Sequence, residues 1–293
     1  MLGEIRGEVR FKEPLSFHTS LRIGGSADIF IVPQDVEDIR LALSFAEREQ
    51  LSLDVIGGGN NLLVSDRGVR GVVLKLEGCL GRAEFNGEEA VAGAGVSLSA
   101  LIREAAALNL GGIECLVGVP ATVGGAVAMN AGTPDGGIAD FISAVYFLYP
   151  DGTLGEFKPG VGSFSYNVFT APARSVLIGA RLQLHRRPFA EIQKDIKQRL
   201  KLKKSTQPLA LASVGCVWKN PPGETATRLI EKVGLKGKRL NGAEISAKHA
   251  NFIVNRGGAA AADIKALMQL TLDRVRNHFG ITLEPEMKTM GDI

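Results

Sequence analysis

The sequence predicts an α+β fold in more than one lobe, on three observations. Short β-like runs alternate with amphipathic helices over the first two-thirds of the chain. Glycine collects at the ends of those runs, with 36 glycines in 293 residues, about 12% against a usual ~7%. A basic amphipathic helix then opens after Arg186-Arg187-Pro188 and marks a domain boundary. A hydrophobic content of 45% is enough for a sizeable core.

Taken in order, Ile29 to Pro33 reads as a strand, followed by Asp35 as the cap of a helix with Val36, Ile39, Leu43 and Ala46 on one face. Leu53 to Ile56 reads as a strand running into Gly57-Gly58-Gly59-Asn60-Asn61, with further β-like runs at Val69 to Leu76 and Ala90 to Ala92. A second helix covers Ser97 to Asn109 with Leu98, Leu101, Ile102 and Ala105 inward, and Gly111-Gly112 stops it. The block from Gly118 to Gly132 is too small and flexible for an ordinary helix and reads as a loop. Ile142 to Tyr149 and Val176 to Leu184 read as strands.

From Pro188 a helix is expected to turn Phe189, Ile192, Ile196 and Leu200 inward and Lys194, Lys197, Arg199 and Lys201 to solvent. After it come a helix near Thr225 to Val233, a strand at Asn251 to Asn255, and a helix from Asp263 to Phe279 ended by Gly280. A last strand, Ile281 to Met287, carries Glu284 and Glu286 on one side. The domains are read as 1–187, in two subdomains of about 1–76 and 77–187, and 188–293.

The formal charge of +3, the difference between 34 basic and 31 acidic residues, leaves no large field for nucleic acid or anionic lipid. Cys79, Cys115 and Cys216 form no CxxC pair and suggest no disulfide framework, which points to a reducing, cytoplasmic setting. The N-terminus lacks the apolar stretch of a secretory signal, and the run Val117 to Met129 is too short and too rich in Gly and Pro to span a bilayer. His18, His185, His249 and His278 are scattered and give no metal site.

Backbone amides that a phosphate can approach closely need glycine, for the positive φ and the missing side chain. Gly57-x-Gly59 and Gly93-x-Gly95 both fail the Rossmann fingerprint, because Leu62 and Leu98 occupy its third small position. What remains is a set of short glycine loops at strand ends, suited to a phosphate-bearing ligand lying across a layered domain. Each loop alone also reads as a tight turn.

Ordered motifs carry a resemblance to a known family. Thr19-Ser20-Leu21-Arg22-Ile23-Gly24-Gly25, Ile56-Gly57-Gly58-Gly59-Asn60-Asn61-Leu62 and Gly118-Val119-Pro120 with Gly124-Gly125-Ala126 and Asn130-Ala131-Gly132 are followed by Gln207-Pro208, Ser213-x-Gly215-Cys216-x-Trp218-Lys219-Asn220-Pro221, Ala250 to Asn255 and Leu283-Glu284-Pro285-Glu286. Nearly end to end, this resembles the UDP-N-acetylenolpyruvoylglucosamine reductases of peptidoglycan synthesis. The resemblance implies a vanillyl-alcohol-oxidase-type FAD-binding domain in two subdomains plus a C-terminal α+β substrate-binding domain. It implies FAD, NADPH as hydride donor, and reduction of the enolpyruvyl sugar nucleotide to UDP-N-acetylmuramate; because the four histidines lie outside the main glycine loops, the FAD is expected to be noncovalent. For FAD it points to Arg22, Ile56, Gly57, Gly58, Gly59, Asn60, Asn61 and Leu62, and to Gly118, Val119, Pro120, Thr122, Gly124, Gly125, Ala126, Asn130 and Gly132.

Hydride addition to an enolpyruvyl double bond leaves an enolate, so the site needs a proton donor and stabilisation of developing charge. Cys216 stands where the family commonly has a proton-donating serine, and a protonated thiol is a competent acid. Glu286 matches the family's catalytic glutamate, whereas the residues alone leave Glu284 and Glu286 as equals. Tyr166-Asn167 departs from the family's tyrosine–arginine pair, and asparagine brings no positive charge; Arg174 and Lys219 are the nearest substitutes. Lys219 and Asn220, with Tyr166, Asn167 and His249, are expected at the nucleotide sugar, and Lys204 and Gln207 near its phosphates. Two alternatives stay open: a flavin oxidase on the same scaffold, and a flavin- or nucleotide-sugar-binding protein that has lost catalysis. Oligomeric state is not legible.

Overall fold

The computed structural model describes residues 2–160, 162–165 and 168–292. The chain divides into two compact units, one of Met1–Phe11, Ile29–Gly58 and Gly71–Leu202, the other of Lys12–Asp28, Gly59–Arg70 and Lys203–Ile293. The division after Leu202 falls inside a helix.

In the first unit, helix α1 (Val36–Arg48) is capped by Asp35, whose carboxylate accepts from the backbone N–H of Glu37 at 3.0 Å and of Asp38 at 3.3 Å. Its buried face, Ile39, Ala42 and Ala46, joins a core with Val72, Leu74 and Leu148. That face also buries Asp38, whose carboxylate accepts from the backbone N–H groups of Arg6, Gly7 and Gln34 at 3.1, 2.8 and 2.8 Å. Three donors on one carboxylate make its burial tolerable. The strand Leu53–Ile56 lies parallel to Val69–Lys75, at the edge of a four-stranded sheet.

Helix α2 (Leu98–Ala107) buries Leu98, Leu101, Ile102 and Ala105 as its spacing requires. The left-handed stop after it comes from Asn109, at φ 57°, and not from Gly111-Gly112. Asparagine tolerates that conformation through local side-chain hydrogen bonding, and Leu110–Gly111 is left to pair with His185–Arg186. A five-stranded antiparallel sheet, in the order Leu154–Phe157, Ile142–Leu148, Val176–Gln183, Glu89–Gly93, Ala83–Asn86, forms the floor. Its apolar face, including Val145, Phe147, Ala180 and Leu182, packs under α2.

The glycine block contains a helix after all: α3 (Val123–Ala128). Thr122 caps it, its Oγ1 accepting from Gly125 N–H at 3.2 Å, and Val123, Ala126 and Val127 are buried. Capping and burial outweigh the poor propensity of Gly124 and Gly125. Helix α4 (Phe189–Thr206) starts where Pro188 predicts. Only Ile192 of its expected inward set is fully buried, while Phe189 is 47% and Leu200 43% exposed. The helix docks near its start, where Arg187 bonds Glu114 at 3.1 Å and Asp195 at 2.7 Å and Ile196 packs partly buried against the core, whereas Phe189 and Leu200 at the two ends of the stripe stay largely in solvent.

The second unit is a four-stranded antiparallel sheet, Ala212–Cys216, Phe252–Asn255, Ala243–Ile245, Arg239–Leu240. Helices α5 (Ala226–Lys232) and α6 (Ala261–Phe279) share its core through Leu229, Ile230, Ile245, Ile253, Ile264 and Leu267. Asp66 caps α6 from a distance, accepting from Ala261 N–H at 2.7 Å and Ala262 N–H at 3.0 Å. Gly280, left-handed at φ 70°, ends it. The expected strand Ile281–Met287 is not one. Pairing is delayed to Lys288–Met290, parallel to Leu62–Val64, and before it, among the described residues, Pro285 forms one bridge with Trp218, flanked by bonds from Lys219 N–H to Glu284 O and from Glu286 N–H to Val217 O. Among the described residues no helix is long and apolar enough to cross a membrane.

Candidate active site

In the first unit the strand Leu53–Ile56 delivers Gly57 to the rim of a cavity of about 200 Å³, with Gly58 next in the chain. Ile56, Gly57, Thr122, Gly124 and Gly125, all expected at a cofactor, line it, and Phe147 and Leu177 add apolar wall. A Cβ on Gly57 would stand 2.4 Å from Thr122 Oγ1, and one on Gly124 would stand 2.8 Å from the Ala94 Cβ. Both glycines therefore let backbone close up where a side chain would not fit.

The two glycine loops differ in what they can offer an anion. In α3 the N–H groups of Val123, Gly124, Gly125 and Ala126 are all taken, by Val96 O, Ala94 O, Thr122 Oγ1 and Thr122 O. The N–H groups of Gly57 and Gly58 carry no hydrogen bond among the described residues. Asn130, left-handed at φ 39°, donates through Nδ2 to Ser165 O at 2.8 Å, while its Oδ1 is buried with no partner among the described residues. An apolar cavity, open amides at its glycine edge and an orphaned acceptor fit a flavin dinucleotide, which has a flat apolar ring system, phosphates and hydrogen-bond donors. Gly118, at φ 74°, makes the turn that leads Val119 and Pro120 toward Thr122, and Gly132 pairs with Gly137.

In the second unit, Gly59 is left-handed at φ 62°, and a Cβ there would meet His18 O at 2.0 Å. Arg22 is also left-handed, at φ 56°, with an exposed side chain. Asn60 is half-buried. Asn61 donates through Nδ2 to Glu286 O at 3.3 Å and accepts from Lys288 N–H at 3.0 Å. With Leu62 opening the strand paired to Lys288–Met290, this loop holds the segment that carries Glu286.

Cys216 ends its strand after a β-bulge. Ser213 pairs with Val254 and Cys216 with Phe252, so three steps on one strand face two on the other, and Gly215 absorbs the extra residue at φ 84°. Bulges re-aim the next side chain. Burial, with the Glu286 carboxylate adding to it and the Lys203 ammonium opposing both, pushes the Cys216 thiol up to about 12. The thiol therefore keeps its proton at neutral pH. The two glutamates separate here. Glu284 is 72% exposed and bonds Lys219 Nζ at 3.1 Å, whereas Glu286 is half-buried and acts electrostatically on Cys216.

Asn220 Oδ1 accepts from Ala226 N–H at 3.0 Å, a cap for α5. His249 packs edge-on against Phe252 at 4.8 Å. Its Nδ1 is buried with no partner among the described residues, and burial holds its pKa below the usual imidazole value. Lys204 offers its main-chain carbonyl to Lys248 Nζ at 2.6 Å. Arg174 is exposed, at φ 56°, in the first unit. Tyr166 and Asn167 lie outside the described residues. Sequence reasoning missed the hydrogen bonds that hold this strand in place: Ser20 Oγ donates to Ser213 O at 2.7 Å, and Asn251 bonds both sides of the Trp218 peptide. An asparagine inside an apolar run was the available signal.

Comparison with known proteins supplies the family. A model of the UDP-N-acetylenolpyruvoylglucosamine reductase C-terminal domain matches residues 207–290, and an FAD binding domain model matches residues 27–158. The UDP-N-acetylenolpyruvoylglucosamine reductase of Anaeromyxobacter sp. (strain Fw109-5) is 42% identical over 289 residues, 98% of this chain and 90% of the relative. A second such reductase, from Symbiobacterium thermophilum, is 40% identical over 97% of this chain and 93% of its own length. The crystal structure of the reductase from Thermus caldophilus superposes with a TM-score of 0.84 at 36% identity, covering 98% of this chain and 100% of that one. The chain, an FAD-dependent oxidoreductase, belongs to the UDP-N-acetylenolpyruvoylglucosamine reductase family.

Proposed function

We propose that the chain reduces UDP-N-acetylenolpyruvoylglucosamine to UDP-N-acetylmuramate with NADPH, as a cytoplasmic step in making peptidoglycan precursors. The observation that carries this reading is the Cys216 thiol, aimed by the Gly215 bulge and kept protonated beside Glu286. FAD, when bound, supplies a two-electron carrier between NADPH and the enolpyruvyl methylene carbon. Gly57 and Gly58 are suited to hold its phosphates by their open amides, and Asn130 Oδ1 to accept a hydrogen bond from it. The family resemblance extends the cofactor set along both glycine motifs and to Arg22.

Cys216 is the proposed proton donor. As the enolate forms, its S–H bond breaks, a C–H bond forms at the carbon beside the carboxylate, and the thiolate left behind takes a proton back from solvent water, an equilibrium that burial and Glu286 both favour. Lys219, Asn220, His249, Tyr166 and Asn167 are proposed to hold the nucleotide sugar. Asn220 has its Oδ1 committed to α5, so its amide N–H group is the one available. Lys219 is steadied by Glu284 and Lys203 acts on Cys216, so lysines, with Arg174 as a further candidate, supply charge that Asn167 does not. The substrate domain is proposed to begin at Pro188.

Purified protein should be yellow, and under anaerobic conditions NADPH should bleach the flavin band and the enolpyruvyl sugar should restore it. Restoration should be slow in Cys216→Ala and recovered in Cys216→Ser. NADPH oxidation that the sugar does not stimulate overturns the reading, and rapid reoxidation by oxygen with no response to the sugar indicates an oxidase.

A further inference from the structure

Asn251 is 3% exposed and stands where a strand ladder stops. The pairing of Ala212–Cys216 with Phe252–Asn255 ends at Cys216 and Phe252. Beyond that rung the chain runs on through Val217, Trp218 and Lys219, and Asn251 alone continues the ladder. Its main-chain carbonyl accepts from Val217 N–H at 2.8 Å. Its side-chain Oδ1 accepts from Trp218 N–H at 2.9 Å, and its Nδ2 donates to Trp218 O at 2.8 Å. The opposite edge of the same stretch is held by Glu286 N–H on Val217 O at 2.8 Å and Lys219 N–H on Glu284 O at 2.9 Å.

A side-chain amide reproduces a peptide's donor and acceptor in one plane, so it can stand in for a strand partner where none exists. Neither aspartate nor leucine of similar size does so at neutral pH: the first lacks the donor, the second both groups. The segment gripped this way carries Cys216 at one end and Lys219 at the other, and through Val217 it sets the register of Glu286. Loose packing would let the thiol and the carboxylate drift by the ångström that proton transfer does not tolerate. We infer that Asn251 is a positioning residue for the reduction, fixing Cys216 against Glu286 by its two-point grip on the Trp218 peptide. The inference rests on the function proposed above.

The test uses the full chain loaded with FAD, as wild type, Asn251→Ala and Asn251→Asp. Trp218 is the single tryptophan of the chain, so its emission reports the gripped peptide directly. In the alanine variant the emission should shift to the red, flavin reduction by NADPH should stay within about twofold of wild type, and reoxidation by the enolpyruvyl sugar should slow at least about tenfold, in kcat more than in KM. In the aspartate variant a protonated carboxyl restores both hydrogen bonds, so its reoxidation rate relative to wild type should rise as pH falls, whereas the alanine ratio stays flat.

Wild-type reoxidation rates and an unshifted emission in Asn251→Ala overturn the inference, as does an equal fall of both half-reactions with a flat aspartate ratio, which marks a residue that only supports the fold. Should the alanine variant not fold, the pH dependence of the aspartate ratio decides alone: a flat ratio overturns the inference. A wild-type chain that the sugar does not reoxidise overturns the proposed function and this inference together. An active wild type with an indifferent Asn251 overturns this inference only.

Discussion

Replacing Glu286 by glutamine should make Cys216 more reactive toward alkylation, and the size of the effect follows from what surrounds the thiol. At pH 8 an unperturbed thiol of pKa ~8.5 is about one-quarter thiolate. With Cys216 pushed up to about 12, its thiolate fraction at pH 8 falls to about one in ten thousand, more than three logarithmic units lower. A more basic thiolate is also the better nucleophile, with a Brønsted slope of ~0.4–0.5, which returns about one and a half of those units. Iodoacetamide should therefore label Cys216 roughly 50- to 100-fold more slowly than a small free thiol. Burial is the larger cause of the raised pKa and Glu286 the smaller, so Glu286→Gln should speed labelling several-fold without reaching the free-thiol rate.

The assay is iodoacetamide labelling of FAD-loaded protein, read by peptide mass so that Cys216 is separated from the buried Cys79 and Cys115. Labelling of Cys216 at the free-thiol rate, or a rate indifferent to Glu286→Gln, would refute the argument. A kinetic corollary has a fixed sign. A donor works in its protonated form, which persists until pH approaches the thiol pKa. Flavin reoxidation by substrate should thus be level from pH 7 to about 10 in wild type. A fall near pH 8.5 that disappears in Cys216→Ser would show an ordinary thiol instead.

Three further outcomes follow. Arg187→Met should lower the thermal midpoint by the equivalent of about 3 kcal/mol, because Glu114 is buried and loses its cation; a Glu114→Gln partner mutation should recover part of the loss, and two unshifted melting curves would refute the pairing. Burial alone would raise the Asp38 pKa, but hydrogen bonds from the N–H groups of Gln34, Arg6 and Gly7 and the charge of Arg6 hold it below the usual carboxylate value, so its contribution is present above the unfolded pKa of ~3.9 and is lost as pH falls through the folded value. Asp38→Asn should cost about 1–3 kcal/mol at pH 7 and flatten the acid side of the stability curve, measured by denaturant titration; an unchanged acid limb would count against this. Gly57→Ala should weaken FAD retention by about tenfold or more, read from flavin absorbance after gel filtration, since its Cβ would press on Thr122 Oγ1 at the cavity rim; full retention would remove Gly57 from the cofactor site.

Most elements were legible where local chemistry and burial agree. Asp35 caps α1 and Gly280 ends α6 because each residue satisfies or permits one specific backbone geometry, whatever surrounds it. The sequence misled where tertiary context decides. Periodicity says which residues of α4 share a face, but not how much of that face meets a neighbour, and Phe189 and Leu200 ended in solvent. Cys216 was found by its motif, yet its protonation comes first from burial beside a bulge at Gly215 and then from Glu286, some 70 residues away in sequence. Glu284 and Glu286 were equals as long as a regular strand was assumed to carry both; the chain makes a single bridge there, at Pro285, and one carboxylate goes to Lys219 while the other acts on the thiol.

Glycine density also proved an incomplete guide, for a reason that sharpens where a phosphate can sit in the first unit. Glycine permits an anion to approach a backbone amide, but the amide must still have a hydrogen to give. In α3 it has none: Ala94 O and Val96 O take the first two N–H groups and Thr122 takes the next two. Gly124 and Gly125 therefore serve shape, letting α3 pack against Ala94 and leaving the cavity wall flat. Gly57 and Gly58, with unspent N–H groups at the end of the strand, keep the capacity to bind charge. The α3 part of the richer glycine motif thus moulds the cavity, and the shorter motif offers amides with hydrogen-bonding capacity for an anion.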